Sequence, residues 1–438
     1  MTGEQGARAR VLDPLRDFLR EEATGGIVLV LAAVAALVWA NSPAADGYTT
    51  LWSHELTVGL GQASITEDLQ HWVNDGLMAV FFFVVGLEIK RELVTGELRD
   101  PRAALLPVLA ALGGVALPAG IFLAITSGTV GSGGWGIPMA TDIAFALGVL
   151  ALLGQRVPIG AKLFLLTIAI VDDIIAVTVI AVAYSDNISP MWLGGAAVGL
   201  VAVVALRAAG VNAIWAYLPV WVTVWVATLE SGVHATIAGV ALGLLTPAKA
   251  VRGRDLLGVL EHRLHPVSAL LIVPVFALAN AGVAVGRDAI AAPGAARLAG
   301  AVVLGLVVGK ALGIAGTTLI ARRLGIGVLP EGVTTRYVWG LAALAGIGFT
   351  VALFIADLAY TDPALTDTAK IGILVGSLLA AALGAAILFP GRHPRAEERL
   401  AVAGTSVPAP DADAGRSPSR PPEVPAVRMK ATGDEAKQ

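Results

Sequence analysis

Long apolar runs separated by short polar, often basic, stretches set the pattern of the chain from about residue 24 to residue 390. A bilayer-spanning helix needs roughly 20 apolar residues. About twelve runs meet that length, centred near residues 32, 80, 113, 144, 172, 198, 220, 240, 275, 308, 347 and 379. Those from 190 to 245 are closely spaced, so their boundaries are the least sharply marked. The pattern predicts an all-α polytopic membrane protein.

Basic residues give the runs a direction. No Lys or Arg lies between Ala40 and Ile89, and then Lys90, Arg91, Arg99 and Arg102 arrive together. Later basic positions are Arg156 and Lys162, Arg207, Lys249 to Arg263, Arg322 with Arg323, and Arg392 with Arg395, with Arg287 on the opposite side. They fall in every second loop, which predicts that both termini are cytoplasmic. Residues 1–22 mix arginines with acids and lack an early apolar core, so the first run is expected to stay in the membrane.

Three segments depart from the pattern. The first external loop, about 41–68, contains Leu56–Ile65, where apolar residues alternate with small or polar ones around Gly59 and Gly61. It reads either as a short β-hairpin or as an irregular loop. A lone hairpin is marginal in water, so a hairpin here would pair with something further, such as a second copy of the chain. Residues 391–438 turn to Pro, Ala, Ser and charge, the composition of a disordered cytoplasmic tail. The expected domains are thus a 1–22 N-terminal segment, a 23–390 membrane domain and that tail.

Composition agrees: 56% hydrophobic, 14% charged, mean hydropathy +0.78 and no cysteine. The absence of cysteine excludes disulfides and thiolate metal ligands. Lipid is the expected surrounding; neither nucleic acid nor a cofactor is expected.

Charge inside the membrane carries the functional signal. Asp172 and Asp173 sit near the middle of the fifth run, 161–181. An intramembrane Asp costs about 2.5–3.5 kcal/mol on insertion scales, so it is kept for a function. The fourth run holds Pro138, which disfavours helix at the residue before it, followed by Thr141 and Asp142. The eleventh holds Gly346, Gly348 and Thr350. The glycines allow either close helix packing or a break. Runs four and eleven are seven apart and so run in opposite directions, as in two inverted repeats, spans 3–5 and 10–12. Interrupted segments at matching positions of two halves point to a transporter's ion site. Run ten carries Lys310, a lone cation that needs a carboxylate or an open cavity. Asp172 and Asp173 lie about 100° apart around a helix, so one can face Asp142 while the other faces Lys310.

These residues resemble the NhaA family of sodium/proton antiporters. The resemblance rests on Gly86-Leu87-Glu88-Ile89-Lys90-Arg91-Glu92, Ala140-Thr141-Asp142, Asp172-Asp173, Ser231-Gly232-Val233-His234, Leu260-Glu261-His262-Arg263-Leu264-His265, Gly309-Lys310 and Gly346-Ile347-Gly348-Phe349-Thr350, spread over about residues 20–390. It implies twelve helices, with helices four and eleven unwound and crossing at the ion site, and a homodimer joined partly by an external hairpin at residues 54–66. It implies export of Na⁺, and of Li⁺, from a bacterium across its inner membrane for about two H⁺, activated at alkaline pH for sodium and pH homeostasis. It implies Na⁺ at Asp173, Asp142 and Thr141, and Asp172 as the partner of Lys310. The paired acids match the electrogenic branch. Glu88, Arg91, Glu92, Glu261, His262 and His265 resemble groups tied to pH response. His234 is read either with them or as a packing residue. Glu230, Asp357 and the long tail depart from the best-known members.

Two other classes compete. An intramembrane aspartyl enzyme could use Asp142 with Asp172 or Asp173 as a proton-sharing dyad. Lys310 argues against it, because a nearby cation keeps an acid ionised. A channel would need a repeated filter element, and the sequence has none.

Overall fold

The computed structural model describes residues 24–60, 63–185, 187–211, 213–248, 255–284 and 294–389. The N-terminal segment 1–22, the tail 391–438, Lys249, Arg252, Arg254, Arg287, Arg392 and Arg395 lie outside the described residues. Within them the chain is almost wholly helical, with one two-stranded antiparallel sheet. In order these elements are α1 (Thr24–Ala40), α2 (Ala45–Trp52), β1 (Glu55–Leu60), β2 (Ala63–Asp68), α3 (69–94), α4 (Pro101–Thr126), the 3₁₀ helix α5 (Val130–Met139), α6 (Ile143–Leu152) and α7 (Ile159–Ala183). They continue with α8 (Pro190–Ala208), α9 (Ile214–Leu229), α10 (Thr236–Leu245), α11 (Leu256–Asn280), α12 (Ala295–Arg323), α13 (Thr335–Leu344), α14 (Phe349–Ala359) and α15 (Pro363–Leu388).

Local sequence sets many helix starts. Asp100 caps α4 by accepting from Arg102 N, with Pro101 in the first turn, and Asp362 with Pro363 does the same for α15. Asp255 caps α11 through Gly258 N. Six helices (α4, α7, α8, α11, α12 and α15) are each long and apolar enough to cross a membrane. Among the described residues three helix pairs are apolar enough together but bent: α1 with α2 at 115°, α5 with α6 at 47° and α13 with α14 at 44°. The chain is a multi-pass helical membrane protein.

The loop after α2 is a hairpin, as one of the two sequence readings had it. Its register pairs Glu55 with Asp68 and Val58 with Ile65. The Thr57 and Thr66 hydroxyls lie 2.9 Å apart across the strands, and Trp72 Nε1 donates to Leu56 O at 2.9 Å. Leu56 and Val58 are 44% and 52% exposed, so this apolar sheet surface is uncovered within one chain.

Glycines bring helix backbones together. A Cβ on Gly86 of α3 would stand 2.7 Å from Val240 O of α10, and one on Gly113 of α4 would stand 2.5 Å from Gly313 O of α12. Larger residues at these points would push the helices apart. Three π turns, Trp72–Leu77 in α3, Ser268–Ile272 in α11 and Gly305–Gly309 in α12, were not legible in the apolar pattern. Each adds a residue to a turn and so re-aims the side chains beyond it.

Candidate cation site

α5 stops at Met139, one residue past Pro138, and Ala140 and Asp142 take extended backbone before α6 begins. The second break, residues 345–348, separates α13 from α14. The two breaks are bonded to each other: Asp142 N donates to Ile347 O at 2.6 Å, and Thr141 Oγ1 donates to Ala345 O at 2.9 Å. Gly348 permits this approach, since a Cβ there would meet Ala140 O at 3.1 Å and Leu306 Cδ2 at 2.9 Å.

Asp142 stands at two helix N-termini at once. Its Oδ1 accepts from Phe145 N of α6 at 2.9 Å, and its Oδ2 accepts from Thr350 N at 3.1 Å and Thr350 Oγ1 at 2.7 Å at the start of α14. Both helix dipoles and the donors favour negative charge at this point. The sequence marked Asp142 as a buried acid; its role as a double cap follows only from the meeting of the breaks.

Asp172 and Asp173, on α7, diverge as their spacing requires. Asp172 Oδ2 accepts from Lys310 Nζ at 2.7 Å, with the two side chains 2% and 0% exposed, and Thr141 lies nearby. Gly309 lets α12 press on α4, where a Cβ would stand 2.8 Å from Pro118 Cα, and the π turn before Lys310 aims the lysine inward. Asp173 instead joins Thr141, Asp142 and Thr350 in the wall of a cavity of about 60 Å³. That volume suits a monovalent cation with a few waters. Residues of α3 and α11, among them Val85, Glu88, His265, Ser268 and Val273, form the opposite wall.

The remaining predicted residues divide. Arg91 Nη1 donates to Glu261 Oε1 and Arg91 Nη2 lies 3.6 Å from Glu92 Oε1, while His265 Nε2 lies 3.7 Å from Glu88 Oε1. The Arg91–Glu261 and His265–Glu88 pairs tie α3 to α11 beside the cavity, while Arg91–Glu92 stays within α3. His262 is exposed on the same helix. His234 lies elsewhere, its Nε2 2.6 Å from Tyr184 O at the far end of α7. Glu230 is exposed. Asp357 forms an ion pair with Lys370.

Four supporting side chains have no role assigned to them by the sequence pattern. Lys370 was visible as a second lysine inside an apolar run. Tyr184 and Tyr360 hydroxyls donate to Gly133 O and Gly131 O, bracing α5, and Tyr184 also accepts from Gly136 N. Ser377 Oγ accepts from Phe349 N at 3.3 Å. A tyrosine or serine in an apolar run carries no signal of which backbone it will meet.

Buried acids and a lysine at the junction of two broken helices, in a multi-pass bundle, define a membrane transporter of the antiporter class rather than an enzyme. The chain belongs to the Na⁺/H⁺ antiporter 1 family, whose model matches residues 16–388. It is 49% identical over 381 residues to the Na⁺/H⁺ antiporter NhaA 2 of Erythrobacter litoralis, covering 86% of this chain and 94% of that protein. It is 50% identical over 371 residues to the NhaA of an Acidovorax species, covering 83% and 89%. With the NhaA 3 of Frankia alni it shares 44% identity over 418 residues, covering 87% and 90%. These relatives set the chain apart from the intramembrane aspartyl enzymes.

Proposed function

We propose that the protein exports Na⁺, and also Li⁺, across a bacterial inner membrane in exchange for about two H⁺, and so serves sodium and pH homeostasis. The observation that carries this reading is the small cavity shared by Asp173, Asp142, Thr141 and Thr350, beside a fully buried Asp172–Lys310 pair. Carboxylate and hydroxyl oxygens suit a hard monovalent cation, and the same carboxylates bind protons. Asp173 would be the principal ligand, with Asp142 and Thr141 beside it. The relatives named as Na⁺/H⁺ antiporters support the choice of ions. No cofactor enters the scheme.

The membrane part is read as twelve spans within 23–390, with repeats 3–5 and 10–12 and both termini cytoplasmic. Glu88, Arg91, Glu92, Glu261, His262 and His265 would then lie on the cytoplasmic side of the cavity and adjust its opening with pH, activating exchange at alkaline pH. His234, at the other end of α7, would act on the α5 segment through Tyr184. The test is direct: proteoliposomes holding an acid-inside pH gradient receive Na⁺, Li⁺ or K⁺. Collapse of the gradient with Na⁺ and Li⁺ is expected; no collapse with Na⁺ would reject the reading.

Two further outcomes follow from this reading. Removing one partner of a buried ion pair costs about 3–5 kcal/mol. Lys310→Ala should therefore lower thermal stability in detergent, and adding Asp172→Asn should restore part of it. Additive losses would show that the two residues are not energetically paired. The exposed hairpin face fits a second copy of the chain, so deleting 56–65 should shift the protein toward monomer in size-exclusion chromatography with light scattering. Exchange should persist, because every proposed ligand comes from one chain. A monomer without exchange would refute that independence.

A further inference from the structure

Outward from the cavity, toward the hairpin face, three helices repeat one arrangement. On α14, Thr350 lines the cavity, Phe354 follows one turn later and Asp357 one turn beyond that. Positions four and seven residues apart share a helix face, and seven residues rise about 10 Å. On α11 the matching order is Val273, Phe276, Asn280, and on α3, read toward its start, it is Val85, Phe82, Asn74. The aromatic layer is closed: Phe354 lies 5.6 Å from Phe82 and 6.3 Å from Phe276 between ring centres, and all three are buried.

Beyond this layer lies a polar one. Asn280 Nδ2 donates to Asn74 Oδ1 at 2.8 Å, and Gln70 Nε2 donates to Asn280 Oδ1 at 2.9 Å. Asp357 Oδ1 lies 2.7 Å from Lys370 Nζ. Asp357 Oδ2 is also buried, and among the described residues the Asn74 carboxamide faces it, short of a well-formed hydrogen bond. Asp367 acts on the same lysine, so Asp357, Asp367 and Lys370 together leave one net negative charge when ionised. His71 and Tyr48 are the other titratable groups facing Asp357. An acid with one oxygen held by a lysine and the other facing the Asn74 carboxamide, in a layer that also offers the Asn280 and Gln70 carboxamides, is placed to take a cation among oxygen ligands.

We propose that Asp357, held by Lys370, is a second monovalent-cation site, which receives Na⁺ leaving the cavity, and protons entering it, once the Phe82–Phe276–Phe354 layer opens. The proposal rests on the exchange reading above. It makes the hairpin face differ from the Glu88 face in cation affinity through one carboxylate outside the central site.

The test compares half-saturation for Na⁺ at each membrane face, using right-side-out and everted vesicles. Asp357→Asn should raise it about tenfold at the hairpin face and leave the Glu88 face within about twofold. Lys370→Met frees the carboxylate from its counter-charge and should lower the hairpin-face value. A merely structural pair predicts that both variants weaken exchange alike, and that result would overturn the proposal. So would unchanged values at both faces, or opposite shifts at the two faces from Asp357→Asn alone, which would mark a bias between conformations. Should Lys370→Met fail to insert, Asp357→Glu serves: retained charge should keep the hairpin-face value within about twofold of wild type, and a tenfold rise would count against the site. Wild-type vesicles without exchange would refute the underlying reading and not the role of Asp357.

Discussion

Asp173→Asn is expected to abolish Na⁺-driven proton movement while leaving an inserted, folded protein. The substitution keeps the shape and one oxygen of the side chain but removes its charge and its exchangeable proton. Asp173 lines the cavity while Asp172 is bonded to Lys310, so the neighbouring acid cannot turn to replace it. Losing the charge of one partner in a buried electrostatic contact costs about 3–5 kcal/mol, which is more than about 100-fold in cation affinity. Asp172→Asn should weaken cation binding less, because that carboxylate is turned to the lysine. Proteoliposome assays of both variants beside wild type, with insertion checked by detergent thermal melts, decide the matter. Wild-type exchange by Asp173→Asn would remove Asp173 from the site.

The second large effect is the coupling of Na⁺ to pH. A carboxylate binds Na⁺ when ionised, so Na⁺ and H⁺ compete for the same oxygens. If two carboxyl groups each release a proton as one Na⁺ enters, the apparent Na⁺ half-saturation should rise about 100-fold for each pH unit lowered, below both site pKa values. One coupled proton would give about tenfold, since each contributes about 1.36 kcal/mol per pH unit. Lowering pH adds protons to the unliganded site, so weaker Na⁺ binding at low pH is the required sign. The same stoichiometry moves one net charge inward per cycle. An inside-negative potential should therefore drive Na⁺ out, by about 2.3 kcal/mol per 100 mV. Na⁺ titrations at several pH values, with the potential set by a potassium ionophore, read both. A half-saturation independent of pH would break the competition scheme; indifference to the potential would reject net charge movement alone.

Much of this was legible in the chain itself because the bilayer is a severe solvent. A backbone in lipid must satisfy its own hydrogen bonds, so the apolar runs could only be helices, and every charge within them had to have a use. Asp172 and Asp173 therefore announced themselves, their adjacency required them to face different ways, and Lys310 needed an acid or an open cavity. Pro138 marked one weak point by its backbone chemistry, the Gly346–Gly348 pair allowed either a break or close packing, and the alternation in 56–65 allowed either the hairpin that forms or an irregular loop. The tertiary structure decided what those residues meet. That Asp142 caps two helices at once depends on the breaks at 140–142 and 345–348 lying against each other, a long-range pairing that no local pattern encodes. The same holds for the π turn that aims Lys310, which arises where Gly309 packs on Pro118. It holds also for Lys370, whose neighbour Asp357 sits on another helix, and for His234, which lies at the far end of α7 from Glu88 and His265. Solvent exclusion is written residue by residue along the chain, whereas partnership between buried charges is set by helix packing, which depends on all the helices together.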